Sequence, residues 1–223
     1  MNNSLKDKFL YYCAPESDDD YFNNSLIYLC ANDNQGSYGL IINRTVEIKL
    51  TDFFSSISSK LEAKLNSGKI VLGGPVQPMS VYVLYSEDDR FKPLIKINDE
   101  ISVSQDVELI KSILNDDGPE KFLVSFGFTG WSEGQLETEI LSGNWLITPS
   151  SKEIIFNTPN DQKINKVSKL AGFDLQTVSS NYGSSSKSSF IFFIISKFNF
   201  WKSNRSCIKL YDRDSCRGHH QNF

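Results

Sequence analysis

The sequence predicts one α+β domain over roughly residues 5–183, followed by an irregular tail. Three observations point there. Strand-like runs and helical periods are intermixed without a regular strand–helix–strand rhythm, and tight turns join neighbouring strands more often than helices do. The 223 residues are also 39% hydrophobic and 13% aromatic, enough to build a core.

Taken in order, Lys8–Ala14 (KFLYYCA) reads as a first strand, closed by Pro15 and the acidic loop Glu16–Asp20. Ser25–Ala31 and Tyr38–Asn43 read as two strands of an antiparallel hairpin around Asn32–Gly36, whose residues tolerate positive φ. Leu50, Phe53, Phe54, Ile57, Leu61 and Leu65 fall at helical spacing, with Thr51 or Asp52 as the cap. Lys69–Leu72 and Val81–Tyr85 are strands on either side of Gly73-Gly74-Pro75.

Ile95–Ile97 and Ile101–Val103 form a short second hairpin. Gln105–Leu114 is a helix capped by Ser104 and stopped by Gly118-Pro119. Lys121–Phe128 is a buried strand. The chain is helical again from Gln135, with Leu136, Ile140 and Leu141 expected inside, and extended over Asn144–Thr148. Ile154–Phe156 reads as a short strand and Asp161–Ala171 as a helix with Gly172 at its C-cap. Ser179–Ser189 has the composition of a linker.

Charge divides the chain. Residues 1–183 hold 16 Lys+Arg against 25 Asp+Glu, a net of −9, and residues 184–223 hold 7 against 2, a net of +5. An acidic body repels phosphate, so direct DNA binding by residues 1–183 is disfavoured. Residues 184–223 read as a basic, aromatic extension outside the domain, disordered or non-native. Cys13 and Cys30 sit in apolar runs and, with Cys207 and Cys216, form no C-x-x-C pair, so small buried thiols in a reducing compartment are expected. Met1–Asp7 lacks the apolar stretch of a signal peptide, and no apolar run reaches a transmembrane length. Cytoplasm is the expected location.

Residues 1–183 contain no histidine; His219 and His220 stand near the C-terminus. A Ser-His-Asp triad or a histidine zinc site therefore cannot be built in the body. Neither metal nor cofactor is expected. The candidates that remain are polar and glycine-rich. Asn43-Arg44 can clamp a carboxylate or phosphate, or pair with an acidic side chain. Gly73-Gly74-Pro75 can offer backbone N–H groups to an anion, or pack backbone closely, and it lacks both phosphate-loop signatures. Trp131 can line a pocket or fill the core. Glu133, Glu137 and Glu139, with Asp106 and Glu108, are the carboxylates available for acid–base work or a hard cation, or they are the solvated side of their helices. Glu133 and Glu137 would share a helix face, with Gln135 elsewhere.

Taken together and in order, FNNSLIYLCANDNQGSYGLIINR (22–44), VLGGPV (71–76), FGFTGWSEGQLETEI (126–140) and NWL (144–146) closely resemble the YqgE/AlgH family. ISVSQDVE, IIFNTP and LAGFDL add fainter matches. The resemblance implies a compact α+β fold with a small, bent, barrel-like mixed sheet flanked by helices, in a bacterial cytosolic setting. It brings no accepted active site or cofactor, and its link to transcriptional regulation is one of name. Family members usually carry histidine where this chain has Asn32, Tyr85 and Ser184, and proline where it has Thr45.

The expected function is binding or regulation without turnover, through a surface of Asn43, Arg44, Gly73, Gly74, Pro75, Trp131, Gln135 and Glu137. Its partner would be a protein or small ligand. The competing reading is a carboxylate- or Mg²⁺-dependent hydrolase or transferase, and a DNA-contacting regulator is a third.

Overall fold

The computed structural model describes residues 5–13, 21–45, 69–172 and 174–175. The expected helix over Leu50–Leu65, the acidic loop, the serine-rich stretch and the tail, with Cys207, Cys216, His219 and His220, lie outside the described residues. In chain order the elements are β1 (Lys8–Tyr12), β2 (Leu26–Asp33), β3 (Gly36–Ile41), β4 (Ile70–Leu72), β5 (Val76–Ser86), β6 (Ile95–Lys96) and β7 (Ile101–Ser104). Then follow α1 (Val107–Leu114), β8 (Phe122–Trp131), α2 (Gln135–Leu141), β9 (Trp145–Pro149), α3 (Lys152–Phe156), a 3-10 turn (Asn160–Gln162) and α4 (Lys163–Ala171).

The strands form one mixed sheet in the order β6-β7-β5-β8-β3-β2-β1-β9, with β4 beside β8. Every pair of neighbouring strands is antiparallel except β4 and β8. Among the described residues the path is not closed by backbone pairing; β6 and β9 are its ends. This is the expected α+β class.

The long strand β8 is the spine. Its first part pairs with β5 along one edge and with β4 along the other, where Val124 meets Ile70 and Phe126 meets Leu72. Beyond Phe128 that second edge is taken by β3, with Thr129 opposite Gly39 and Trp131 opposite Ser37. The change of partner needs backbone packed on backbone. Gly74 and Gly127 lie at φ +155° and +69°, and a Cβ on Gly74 would overlap the Phe128 carbonyl. Side chains rarely fit such geometry, so glycine is required at both positions.

Two faces of the sheet are covered differently. On one, Val83 and Tyr85 of β5 pack with Phe91 against Leu109 and Ile113 of α1. Leu109 and Ile113 are one turn apart on the helix, so a single stripe buries both, at about 1.5–3 kcal/mol each. On the other, Phe9, Tyr28 and Leu40 are cross-strand neighbours, and Tyr38 stacks on Phe128 at 4.8 Å. Cys13 and Cys30 are buried thiols, as their apolar runs predicted.

Four local expectations are corrected. Ile154–Phe156 is helical, not extended: the Ser151 hydroxyl accepts the Ile154 N–H as an N-cap. Helix α1 starts two residues later than Ser104 implied, because the Asp106 carboxylate accepts the Glu108 N–H while Ser104 ends β7. Leu141 is 89% exposed, because α2 ends there and Gly143 turns the chain into β9. The first hairpin is tighter than expected, with only Asn34 and Gln35 between its strands.

Candidate functional site

Glu139 anchors the strongest polar cluster. Its sequence context groups it with the helix carboxylates, whose ordinary place is the solvated side, but the structure buries it under α2. Its Oε2 accepts both indole N–H groups, from Trp131 at 3.0 Å and Trp145 at 2.8 Å, while Oε1 accepts the Gln135 amide at 2.9 Å. Gln135 and Glu139 are four residues apart and share one face of α2, which the sheet covers. The two indoles meet edge-to-face at 5.7 Å.

Among the described residues no cation pairs with this carboxylate; neutral donors hold it. Such an arrangement is expensive compared with an apolar core, and its return is a fixed orientation of everything attached. Gln135 also accepts the Ser132 N–H at 3.0 Å, which locks the entry to α2. On the outer side of the same helix Glu137 is exposed and accepts the Asn32 amide at 2.9 Å; Asn32 also donates to Ser37. Gln135 and Glu137 thus lie on different sides of the helix, one turned to the core and the other to solvent.

Asn43 and Arg44 close a loop. Asn43 accepts the Leu26 N–H and donates to the Asn24 carbonyl. Arg44 Nη2 donates to the Tyr21 carbonyl at 2.7 Å and the Ser25 hydroxyl at 2.9 Å, and its guanidinium lies 4.7 Å over the Tyr21 ring. Phe22, in that loop, packs on Trp145 at 5.5 Å. The loop therefore links Arg44 to the tryptophan pair.

Gly73 and Gly74 are buried and Pro75 is half-buried. The Gly73 N–H donates to Phe126, so that donor is already engaged, and the Gly73 carbonyl accepts from Ile41 N and Thr129 Oγ1. Leu72 N–H donates to Arg44 O at 2.9 Å, which sets the glycine pair beside Asn43-Arg44. Along β8 the order is then the glycine junction, Thr129 and Trp131. The structure brings Asn43, Arg44, Gly73, Gly74, Trp131 and Gln135 into one run of contacts, with Glu137 on its outer side.

The other carboxylates are dispersed. Asp106 caps α1 and Glu108 pairs with Lys111, on the half of the sheet carrying β5 and β7. Glu133 is exposed at the start of α2, which packs on β3 and β9. Among the described residues no three Cys, His, Asp or Glu side chains are grouped to hold a metal. No helix among them is long and apolar enough to cross a membrane.

Two features escaped the sequence reading. Trp145 was visible only as part of the NWL motif. Lys163, at the start of α4, is 1% exposed and donates to the Ile42 carbonyl at 2.7 Å; burial lowers its pKa to about 7. A lysine followed by a helix carried no signal of burial.

An AlgH-like family model matches residues 10–176. A UPF0301 protein of Marinomonas sp. (strain MWYL1) is 31% identical over 181 residues, 81% of this chain and 96% of the relative. A UPF0301 protein of Shewanella frigidimarina is 33% identical over 184 residues, covering 81% and 98%. The solution structure of the AlgH protein from Pseudomonas aeruginosa superposes with a TM-score of 0.65 at 27% identity, covering 83% of this chain and 98% of that one. Protein DIP2367 from Corynebacterium diphtheriae shares the fold, with a TM-score of 0.57 at 15% identity over 80% and 93% of the two chains. The motifs, the sheet order and these matches agree, and the chain belongs to the AlgH-like family, the YqgE/AlgH group that its sequence resembles.

Proposed function

We propose that the chain works by binding, as a non-enzymatic binding or regulatory protein. Its recognition surface is the outer side of α2 with the tip of the β2–β3 hairpin, presenting Glu137 and Asn32. Gln135, Trp131, Asn43, Arg44, Gly73, Gly74 and Pro75 form the frame beneath and beside it. The observation that carries this reading is the Glu139 carboxylate holding Trp131, Trp145 and Gln135 at 3.0, 2.8 and 2.9 Å. A buried carboxylate between neutral donors fixes the helix that displays Glu137, and rigid display serves recognition.

Asn32 stands where the resemblance places a family histidine, so this surface has its own chemistry in this chain. A regulatory role would run through a protein or small ligand, because a body of net −9 is poorly suited to a phosphate backbone. The test is affinity capture from lysate with the whole chain, Glu137→Lys, Asn32→Asp and a control, Glu108→Lys, on the far side of the sheet. The reading expects a partner retained by wild type and control and lost with both surface variants. Capture unaffected by either surface change would remove it.

A further inference from the structure

By backbone pairing the sheet is open, yet side chains bridge its two ends. Asp7, just ahead of β1, accepts the Tyr28 hydroxyl at 2.7 Å and the Ser150 hydroxyl at 2.6 Å on Oδ1, and the Asn98 amide at 2.9 Å on Oδ2. Ser150 directly follows β9, and Asn98 lies in the turn between β6 and β7. One carboxylate therefore touches both ends of the sheet. Lys6 Nζ donates to the Lys96 carbonyl at 2.8 Å, and Lys152 pairs with Glu100 at 3.2 Å, across the same gap. These two contacts are exposed and individually weak.

The Asp7 backbone sits at φ +61°, a left-handed conformation that costs a non-glycine residue energy and persists where its surroundings insist on it. Asn98 has two roles. Its Oδ1 accepts the Glu100 N–H at 2.8 Å, which shapes the turn, and its Nδ2 reaches Asp7. The segment it belongs to is lightly held from within: β6 has two residues, paired only with β7. Ile97 within it and Ile101, which follows it in β7, are 4% and 2% exposed.

We propose that Asp7 and Asn98 form a latch, and that Leu94–Glu100 is a strap which opens and closes the barrel-like sheet around it while β5, β7 and β8 stay paired. Closed, the strap completes the ring by side chains. Open, it carries Ile97 out of the core, uncovers Ile101 and frees the β1–β9 end. A seam closed by side chains can part without breaking a central ladder, which is what a low-stability opening unit requires.

Amide hydrogen exchange on the full chain tests this. Asn98→Asp keeps an oxygen for the Glu100 N–H but sets a second carboxylate against Asp7. Asp7→Ala removes the acceptor of all three bonds. Each should speed exchange at the Leu94 and Ile97 N–H groups, bonded to Val103 and Ile101, by tenfold or more, with Val83, Leu84 and Val124 unchanged. The swap Asp7→Asn with Asn98→Asp restores a donor facing an acceptor and should recover most of the protection. Asn98→Ala, which adds no charge, should loosen the same amides and no others. Exchange rising equally along β5 and β8 would overturn the latch, as would a swap no better than the single changes, or an Asn98→Ala chain that exchanges like wild type.

Discussion

Glu139 and Asp7 each gather three donors on one carboxylate, but from very different distances along the chain. The donors to Glu139 come from positions 131, 135 and 145, all within eight residues. Those to Asp7 come from 28, 98 and 150, the last separated from it by 143 residues. Glu139 is 6% exposed and held by rigid rings, so it fixes one corner of the fold. Asp7 is half-buried and held by a hydroxyl pair and an amide on separate elements, so it joins regions that can part. Burial raises the Asp7 carboxyl, and the bonds from Ser150, Asn98 and Tyr28 with the Lys8 charge more than offset this, leaving it below the ordinary carboxylate range. A local network orients; a long-range one closes.

The contrast is broken most severely at Glu139. Glu139→Ala leaves two indole N–H groups and an amide without their acceptor in a closed space, and should cost about 3–5 kcal/mol in urea unfolding. A loss under about 1 kcal/mol would mean that the orienting network is dispensable. Next in size is the glycine junction that carries β8 from β4 to β3. Gly74→Ala forces a Cβ into the Phe128 carbonyl and should cost roughly 2–3 kcal/mol, seen as a lower melting temperature with unchanged cooperativity.

Lys163 sharpens the comparison with a buried base. Its folded pKa, about 7, lies below the ordinary 10.5, so between these values the unfolded chain binds more protons. Stability should therefore rise with pH across that window and be lost as pH falls back toward 7. The rise should be about 2 kcal/mol from pH 7 to 9, and Lys163→Met should flatten it. An identical slope in the variant would place the titration elsewhere. Smallest of all, Glu137→Ala should change stability by less than about 0.5 kcal/mol, because the side chain is exposed and its one described partner, Asn32, remains near solvent. Binding and stability are thereby separable on the two sides of α2.

The same contrast explains what could be read in advance. The β2–β3 hairpin, the strand of β8 and the helix of α1 followed from apolar period and turn residues, all local properties. So did the presence of Trp131 and Gln135 near one another. What local pattern misjudged was direction. The sequence leaves Glu139 open between acid–base work and the solvated side of its helix, and only the tryptophans on β8 and β9 turn it inward. Ile154–Phe156 gave three adjacent apolar residues, which suit a buried strand or a short helix equally, and the Ser151 cap decided between them. The Asp7 hub had no local trace, since its partners meet only after β1, β2 and β9 are aligned and the β6–β7 turn swings over them. The burial of Lys163 was invisible for the same reason, because its acceptor, Ile42, is 121 residues away.

The central claim is that one buried carboxylate is clamped between two indole N–H groups beneath α2. Indole N–H resonances report it directly: with the ring nitrogens labelled, the Trp131 and Trp145 signals should exchange slowly with solvent and move together in Glu139→Gln, while Glu137→Ala leaves both in place. Rapid exchange of both indoles in the wild-type chain, or signals indifferent to Glu139→Gln, would contradict the account.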